Sequence, residues 1–295
     1  MRIHCPYCNT KNSSSNEART VSKLGRYWRK SDGRWIQRFL CLVCKKGFSS
    51  ATGHPCYLQN KRHKNQIVRK LLSAGVSQRE AARILNLNRK TIVRKLLFWA
   101  EQAQAELHKL NQSSSACIEV EFDDLETFEH TKCKPLSVTL MVEYKTRRIL
   151  GFEVARMPAK GLLAEISRKK YGVRKDERPY AREVLFKRVQ KYVHPEAIIR
   201  SDSNPHYLSA VKKYFPQAKY QTIKGTRGAV TGQGELKKVG YDPIFSLNHT
   251  FAMLRANINR LIRKTWCTTK RPDRLLAHIY VYSLSHNQRV MQKVS

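Results

Sequence analysis

The chain has 295 residues, of which 57 are Lys or Arg and 22 are Asp or Glu, for a formal net charge of +35. This length predicts two or three domains, and the excess of positive charge indicates a polyanionic partner, with nucleic acid the first expectation. The absence of a long apolar run, a terminal amphipathic anchor and a lipidation motif argues against a membrane-surface role. A cysteine motif stands where a signal peptide would lie, so we expect a cytoplasmic, nucleoid-associated protein whose cysteines are not disulfides.

Two Cys-x-x-Cys motifs, Cys5–Cys8 and Cys41–Cys44, lie in the first 55 residues. Together they can supply four thiolates to one tetrahedral zinc ion. Between them, aromatic and basic residues alternate on both sides of Ser31-Asp32-Gly33, which is typical of a hairpin. A pair of redox dithiols is the alternative, but it would need thioredoxin-like surroundings that the sequence lacks. We therefore predict a structural zinc ribbon over residues 1–55.

Residues 60–110 have the pattern of a helix-turn-helix DNA-binding domain. Asn65–Ser73 has helical spacing, Ser77 opens a second helix through a capping box with Glu80, and Asn88 can cap a third. The third helix would enter the major groove. The residues left to contact DNA are Arg89, Lys90, Thr91 and Arg94. The alternative is a plain three-helix bundle whose charge only solvates it.

A short polar linker, 111–115, precedes an acidic strand, and we place the third domain at 116–295. Ile118, Val120 and Phe122 are expected to face a core, and the alternating acids the other side. Four acids fall within 119–124 of a strongly basic chain, so a divalent cation is expected to neutralise them. The alternative is a solvated edge strand.

The rest of the chain predicts an antiparallel meander followed by alternating helices and short strands, which fits an α/β ribonuclease-H-like fold. In that architecture three metal ligands come from the first strand, a later strand and a following helix, and Asp123, Asp202 and Asn248 occupy these places. Glu235 competes for the third place. Simpler interpretations make Asp202 a turn residue and Asn248 a helix cap.

The chain resembles the DDE-type transposases of bacterial and archaeal insertion sequences, nearest the insertion-sequence-one group. The resemblance is strongest from Leu247-Asn248-His249-Thr250-Phe251 to the segment 260–267, and extends to Ser201-Asp202, Phe122-Asp123-Asp124 and both amino-terminal motifs. Members of the group have Glu at the place of Asn248, so at this position the chain resembles the Asp-Asp-Asn variants of related elements.

This resemblance implies a multidomain DNA transposase: a zinc ribbon, an all-α helix-turn-helix domain and a ribonuclease-H-like catalytic domain. It implies binding of double-stranded DNA at terminal inverted repeats, Mg²⁺- or Mn²⁺-dependent hydrolysis at the element ends, and joining of 3′-hydroxyls to target DNA by a homo-oligomer. Arg255, Arg260, Arg263 and Lys264 are expected to contact DNA phosphates near the metals. The alternatives are a non-catalytic DNA-binding regulator derived from a transposase, and a nuclease of the same fold.

Overall fold

The computed structural model describes residues 3–8, 20–30, 33–224, 230–231, 238–262 and 267–292. The chain divides into two compact units, 1–67 and 68–295. None of the described helices is both long and apolar enough to span a lipid bilayer.

The first unit is built on a small antiparallel sheet of three strands in the order β1-β2-β3: β1 (Val21–Arg29), β2 (Arg34–Cys41) and β3 (Gly47–Ser49). The predicted hairpin is present, because Trp28 pairs with Trp35 across β1 and β2, and their rings meet edge to face. The core of this unit is small and includes Phe39 and Phe48 beside two of the motif cysteines.

The second unit combines helices with a five-stranded mixed sheet. Its helices are α1 (Asn65–Ser73, which begins in the last residues of the first unit), α2 (Gln78–Ile84), α3 (Arg89–Gln112), α4 (Leu163–Tyr171), α5 (Arg178–Val189), α6 (Tyr207–Tyr214), α7 (Phe245–Asn257) and α8 (Pro272–Met291). Its strands are β4 (Cys117–Phe128), β5 (Pro135–Glu143), β6 (Ile149–Arg156), β7 (Val193–Asp202), β8 (Lys219–Ile223), β9 (Val230–Thr231) and β10 (Lys238–Val239).

Helices α2 and α3 begin where their capping residues predict. Before α2, the Ser77 hydroxyl accepts a hydrogen bond from the Glu80 amide at 3.1 Å. Before α3, the Asn88 side-chain oxygen accepts one from the Lys90 amide at 2.8 Å. Helix α3 continues to Gln112, slightly beyond the predicted end near Leu110, and it packs along α8. Helices α2 and α3 are part of the same compact unit as the sheet.

The large sheet has the strand order β6-β5-β4-β7-β8, and β9 and β10 form a separate pair. Strands β4, β5 and β6 are antiparallel neighbours, whereas β7 and β8 run parallel to β4. Successive residues of β5 belong to different apolar clusters: Leu140 packs with α3, α7 and α8, and Met141 packs with α5 and α6. Because successive side chains of a strand point to opposite faces, helices cover both faces of this sheet.

Burial of both faces changes the expectation for the acidic strand. Val120 and Phe122 are buried as predicted, but Ile118 is 69% exposed, and Glu121, expected on a face opposite the core, is fully buried. The alternation of apolar and acidic residues alone would have placed Glu121 in solvent. Helix α7 packs on that face of β4 and excludes water from it.

The spacing of an apolar stripe, Leu247, Phe251, Leu254, Ile258 and Leu261, predicts one long helix over 245–265, and α7 is shorter than that. It ends at Asn257 rather than near residue 265, Ile258 is extended, and a short 3-10 turn covers Asn259–Leu261. The side chain of Asn259 donates a hydrogen bond to the Gly75 carbonyl, before α2, and the predicted apolar stripe stays buried through Leu261. The stripe continues through a break in the helix because tertiary contacts hold it.

Candidate functional site

Four cysteine thiols converge in the first unit. Cys5, Cys8, Cys41 and Cys44 place their Sγ atoms within 4.8 Å of one another. The Cys5–Cys44 and Cys8–Cys41 sulfur pairs are each 3.6 Å apart. A tetrahedral zinc ion with Zn–S bonds of about 2.3 Å needs sulfurs separated by about 3.8 Å. The cluster therefore fits a zinc ion, as the spacing of the two motifs predicts.

The charge balance of the cluster also fits a metal. The Lys46 amide favours the thiolate of Cys44, but burial and hydrogen bonds with the other three cysteines raise the pKa of Cys44 to about 11. Four thiolates without a cation would repel one another. A bound zinc ion would remove that repulsion and cross-link the ends of the small sheet.

The second unit brings Asp123 and Asp202 to neighbouring strands. Glu121 of β4 pairs with Arg200 of β7, and each aspartate lies two residues further along its own strand. The strands are parallel, so both carboxylates lie toward the same, carboxyl-terminal edge of this part of the sheet. Two aspartates widely separated in sequence are thus on neighbouring strands, and their role as metal ligands stays a prediction.

Electrostatics links the two carboxylates. Burial, together with the charge of Asp202, raises the pKa of Asp123 to about 7, against the hydrogen bonds that Asp123 accepts. Burial also raises the pKa of Asp202. Neighbouring carboxylates resist simultaneous ionisation unless a cation lies near them. The pair therefore suits a hard divalent cation, which prefers carboxylate oxygens.

Side chains around the pair hold it in place. The Tyr207 hydroxyl of α6 donates to Asp123 Oδ1 at 2.9 Å, and the Tyr207 ring lies under the Arg182 guanidinium. Arg182 lies 3.5 Å from Asp124, which also accepts the Thr139 hydroxyl. Asp124 is therefore engaged with α5 and β5, on the opposite face of β4 from Asp123.

Asp202 also has the turn role considered from its sequence. Its Oδ1 accepts the Asn204 amide at 3.1 Å. This contact uses one carboxylate oxygen, so a turn role does not exclude a ligand role.

Asn248 lies on α7 and is exposed. Its side-chain amide donates to Asp242 Oδ2 at 3.0 Å, and the amide of the preceding Leu247 donates to Glu121 Oε2 at 2.8 Å. Helix α7 thus begins over β4 on the Asp123 face. Within the described parts of the chain, the four-cysteine cluster is the one group of three or more Cys, His, Asp or Glu close enough to hold a metal. Asn248 as third ligand stays a prediction.

Sequence reasoning did not single out Asp242, and it mentioned Glu121 only as part of the acidic strand. Glu121 Oε1 is buried and has no hydrogen-bond partner among the described residues, and burial raises the pKa of Glu121 to about 7, with Asp242 adding to the rise. The signal for Asp242 was an Asp-Pro pair just before a helix. The signal for Glu121 was an acid two residues before Asp123, on the same face.

The predicted DNA-binding residues are distributed over several elements. Arg89, Lys90 and Arg94 of α3 line a cleft of about 610 Å³ together with Arg260. Thr91 is half-buried on α3, and Arg255 is half-buried on α7. Arg263, Lys264 and the competing acid Glu235 lie outside the described residues.

Comparison with known proteins adds little. No family model and no curated protein matches the chain. One solved structure that it resembles weakly is the crystal structure of the Mos1 strand transfer complex, with 14% sequence identity over 80% of this chain and 78% of that chain, and a TM-score of 0.28. At this TM-score the likeness supports neither a shared fold nor a shared activity.

Proposed function

We propose that the chain is a metal-dependent DNA transposase of the DDE type, acting on the ends of an insertion element. The observation that carries this proposal is the adjacency of Asp123 and Asp202 at the carboxyl-terminal edge of two parallel strands. Burial and the charge of Asp202 raise the pKa of Asp123, and burial and the charge of Asp124 raise the pKa of Asp202, so a divalent cation between the two strands would be favoured.

The strand order supports a ribonuclease-H-like catalytic domain. Three antiparallel strands, β6-β5-β4, are followed by two parallel strands, β7 and β8, with helices on both faces. This is the arrangement expected when one acid lies on the first strand, another at the end of the fourth and a third ligand on a later helix.

Each residue of the site has a distinct role in the proposed reaction. Divalent ions bound there would supply activation of the attacking oxygen and stabilisation of the leaving oxygen in phosphodiester cleavage. Asp123 and Asp202 bind the cation, and the Tyr207 hydroxyl keeps one Asp123 oxygen oriented so that the other is available. Arg182 balances the charge of Asp124 on the opposite face of the strand.

The third ligand in this proposal is Asn248. It lies in the first turn of α7, which packs on the Asp123 face of β4, and its amide carbonyl oxygen is a metal ligand without charge. Its side-chain nitrogen donates to Asp242, which leaves the carbonyl oxygen free to face the opposite direction. Glu121 and Asp242 supply negative charge close to the place where Asn248 lacks it.

DNA binding is assigned to the basic elements. The zinc-ribbon and helix-turn-helix segments are proposed to hold the terminal inverted repeats, and Arg255 and Arg260 to contact phosphates. Two element ends must be joined together, so a homo-oligomer on double-stranded DNA is part of the proposal.

A strand-transfer assay tests the activity. Purified protein is incubated with Mg²⁺ or Mn²⁺, a labelled duplex from the DNA that flanks its own gene, and a target plasmid. We expect Asp123→Asn and Asp202→Asn to lower joining at least about 100-fold, since each removes a metal-binding charge, while duplex binding is kept. Glu183→Gln removes an exposed carboxylate paired with Lys213 and serves as the charge-matched control.

The same assay separates the candidate third ligands. Asn248→Ala should lower joining and Glu235→Gln should not; the reverse result assigns the role to Glu235. Loss of joining with cleavage retained identifies a nuclease. A wild-type protein that binds the duplex but neither cleaves nor joins it with either metal is the non-catalytic regulator.

A further inference from the structure

A strongly basic cleft lies between the amino-terminal half of α3 and the segment that leads into α8. Arg89, Lys90 and Arg94 line one wall, and Arg260, Lys270 and Arg274 line the other. These two walls are about 170 residues apart in the chain but belong to one compact unit. No carboxylate is among the described residues that line the cleft.

The cations of this cleft are poorly neutralised. Among the described residues, Arg274 forms an ion pair with Asp273, 3.5 Å away, and the exposed Arg271 pairs with the same carboxylate more closely, at 2.9 Å. Arg274 Nη1 is buried without a hydrogen-bond partner among the described residues. Burial and the charge of Arg274 lower the pKa of Arg260, whose described hydrogen bond is to the neutral Thr269 hydroxyl at 3.3 Å.

Arg260 and Arg274 are half-buried, and the exposed Arg89 and Arg94 line the same cleft. These groups are unfavourable together, because like charges repel and burial removes hydration from Arg260 and Arg274. An anion that enters the cleft relieves both costs. Guanidinium groups match phosphate oxygens in geometry and in charge. The positive end of α3, a 24-residue helix, adds to the attraction because its first residues line the same cleft.

We propose that this cleft binds the sugar–phosphate backbone of double-stranded DNA, with Arg260 and Arg274 contacting the same stretch of duplex as Arg89 and Arg94. The inference rests on the proposed function only in taking DNA as the partner; it does not depend on catalysis. It assigns Arg260 to the DNA segment held by the helix-turn-helix rather than to phosphates beside the metal site. It also assigns Arg89 and Arg94 to backbone contacts.

A salt-dependence measurement tests the proposal. The dissociation constant of the zinc-loaded, full-length protein for a fluorescein-labelled duplex of random sequence is measured by anisotropy at several KCl concentrations. Arg260→Gln and Arg274→Gln should each weaken binding about tenfold and reduce the slope of log Kd against log salt by about 0.9, the value for one lost phosphate contact. Arg89→Gln should weaken binding to the random duplex and binding to the DNA that flanks the gene by the same factor.

The control is Arg168→Gln, which removes the same charge from an exposed position on α4 outside the cleft. If Arg260→Gln lowers the melting temperature, Lys270→Gln replaces it, because Lys270 is an exposed residue of the cleft. The expected change in the salt slope is the same.

Slopes for the Arg260, Arg274 and Lys270 variants equal to the Arg168→Gln slope would overturn the proposal. So would double-stranded RNA that competes for the wild-type cleft better than the unlabelled DNA duplex. The two proposals can fail separately. If the cleft variants have a smaller salt slope but the wild-type protein does not join DNA, the cleft proposal is supported and the proposed catalysis is wrong.

Discussion

Burial sets the acid–base behaviour of several side chains in the second unit, in opposite directions for acids and bases. Desolvation raises the pKa of Glu121 and Asp123 to about 7, and it lowers the pKa of His278 to about 4. His278 stays inside because one ring nitrogen meets the Leu72 carbonyl at 2.9 Å. The charge of Arg260, in the basic cleft, also disfavours its protonated form.

His278 makes stability depend on pH with a definite sign. The unfolded chain binds a proton at this residue below about pH 6.5 and the folded chain does not, so the free energy of unfolding falls as pH falls from 6.5 toward 4. Between about pH 7.5 and about pH 5.5 the loss from this residue is about 1.4 kcal/mol.

Urea unfolding of wild type and His278→Gln at both pH values measures this contribution. We expect the variant to lose about 1.4 kcal/mol less than wild type between the two pH values. Glu121 and Asp123 change the free energy of unfolding with pH in the opposite direction, because their raised pKa values favour the protonated folded state. Their contribution is the same in both proteins and cancels in the comparison. An equal pH dependence in the two proteins would show that His278 is protonated when folded.

Close packing between elements holds the five-stranded sheet against its helices. Gly151 of β6 lies directly under α5: a Cβ atom at this position would approach Val189 Cγ1 to 2.6 Å and Leu185 Cδ1 to 2.8 Å. Val189 and Leu185 are both fully buried. Glycine is needed here for space, and its backbone is not in the left-handed region.

Gly151→Ala is expected to lower the free energy of unfolding of the second unit by about 1–3 kcal/mol, the usual cost of overpacking a core. Denaturant unfolding followed by circular dichroism measures it. Adding Val189→Ala makes room for the new methyl group, so the double variant should be more stable than the sum of the two single changes indicates. If the free-energy changes of the two single variants simply add, contact between the new methyl group and Val189 is not the cause of the destabilisation.

The two compact units depend on different forces. Among the described residues, the first unit has an apolar cluster of five buried residues, two of which are Cys5 and Cys41 of the thiol cluster, whereas the second has two extensive apolar clusters around its sheet. Small domains with little core usually need a metal or disulfides. Metal binding is therefore expected to stabilise the first unit and to matter little to the second.

Metal analysis of protein purified under reducing conditions should find about one zinc per chain. Chelation should then expose the amides of 21–49 to hydrogen exchange and leave those of 117–156 protected. Cys41→Ser should lose the metal, and Cys56→Ser, which changes a thiol outside the cluster, should keep it. Full protection of 21–49 in metal-free protein would contradict a structural role for zinc.

Local patterns determined much of this structure by themselves. The spacing of two Cys-x-x-Cys motifs located the thiol cluster, and Ser77 and Asn88 marked the starts of α2 and α3, because capping depends on residues a few positions apart. Alternation of apolar residues identified β4, and the order of elements placed Asp123 and Asp202 on neighbouring strands. Each of these features is encoded within a short stretch of chain or in the succession of such stretches.

Only the tertiary structure decided which side chains are buried and which are neighbours across the fold. Glu121 is inside because α7 covers its face of β4, and α7 ends at Asn257 because the chain turns to meet the loop before α2. The meeting of Arg89 with Arg260 in one cleft depends on α3 packing along α8. Charge and hydropathy along a sequence do not specify these contacts, since burial and pairing arise from elements far apart in the chain.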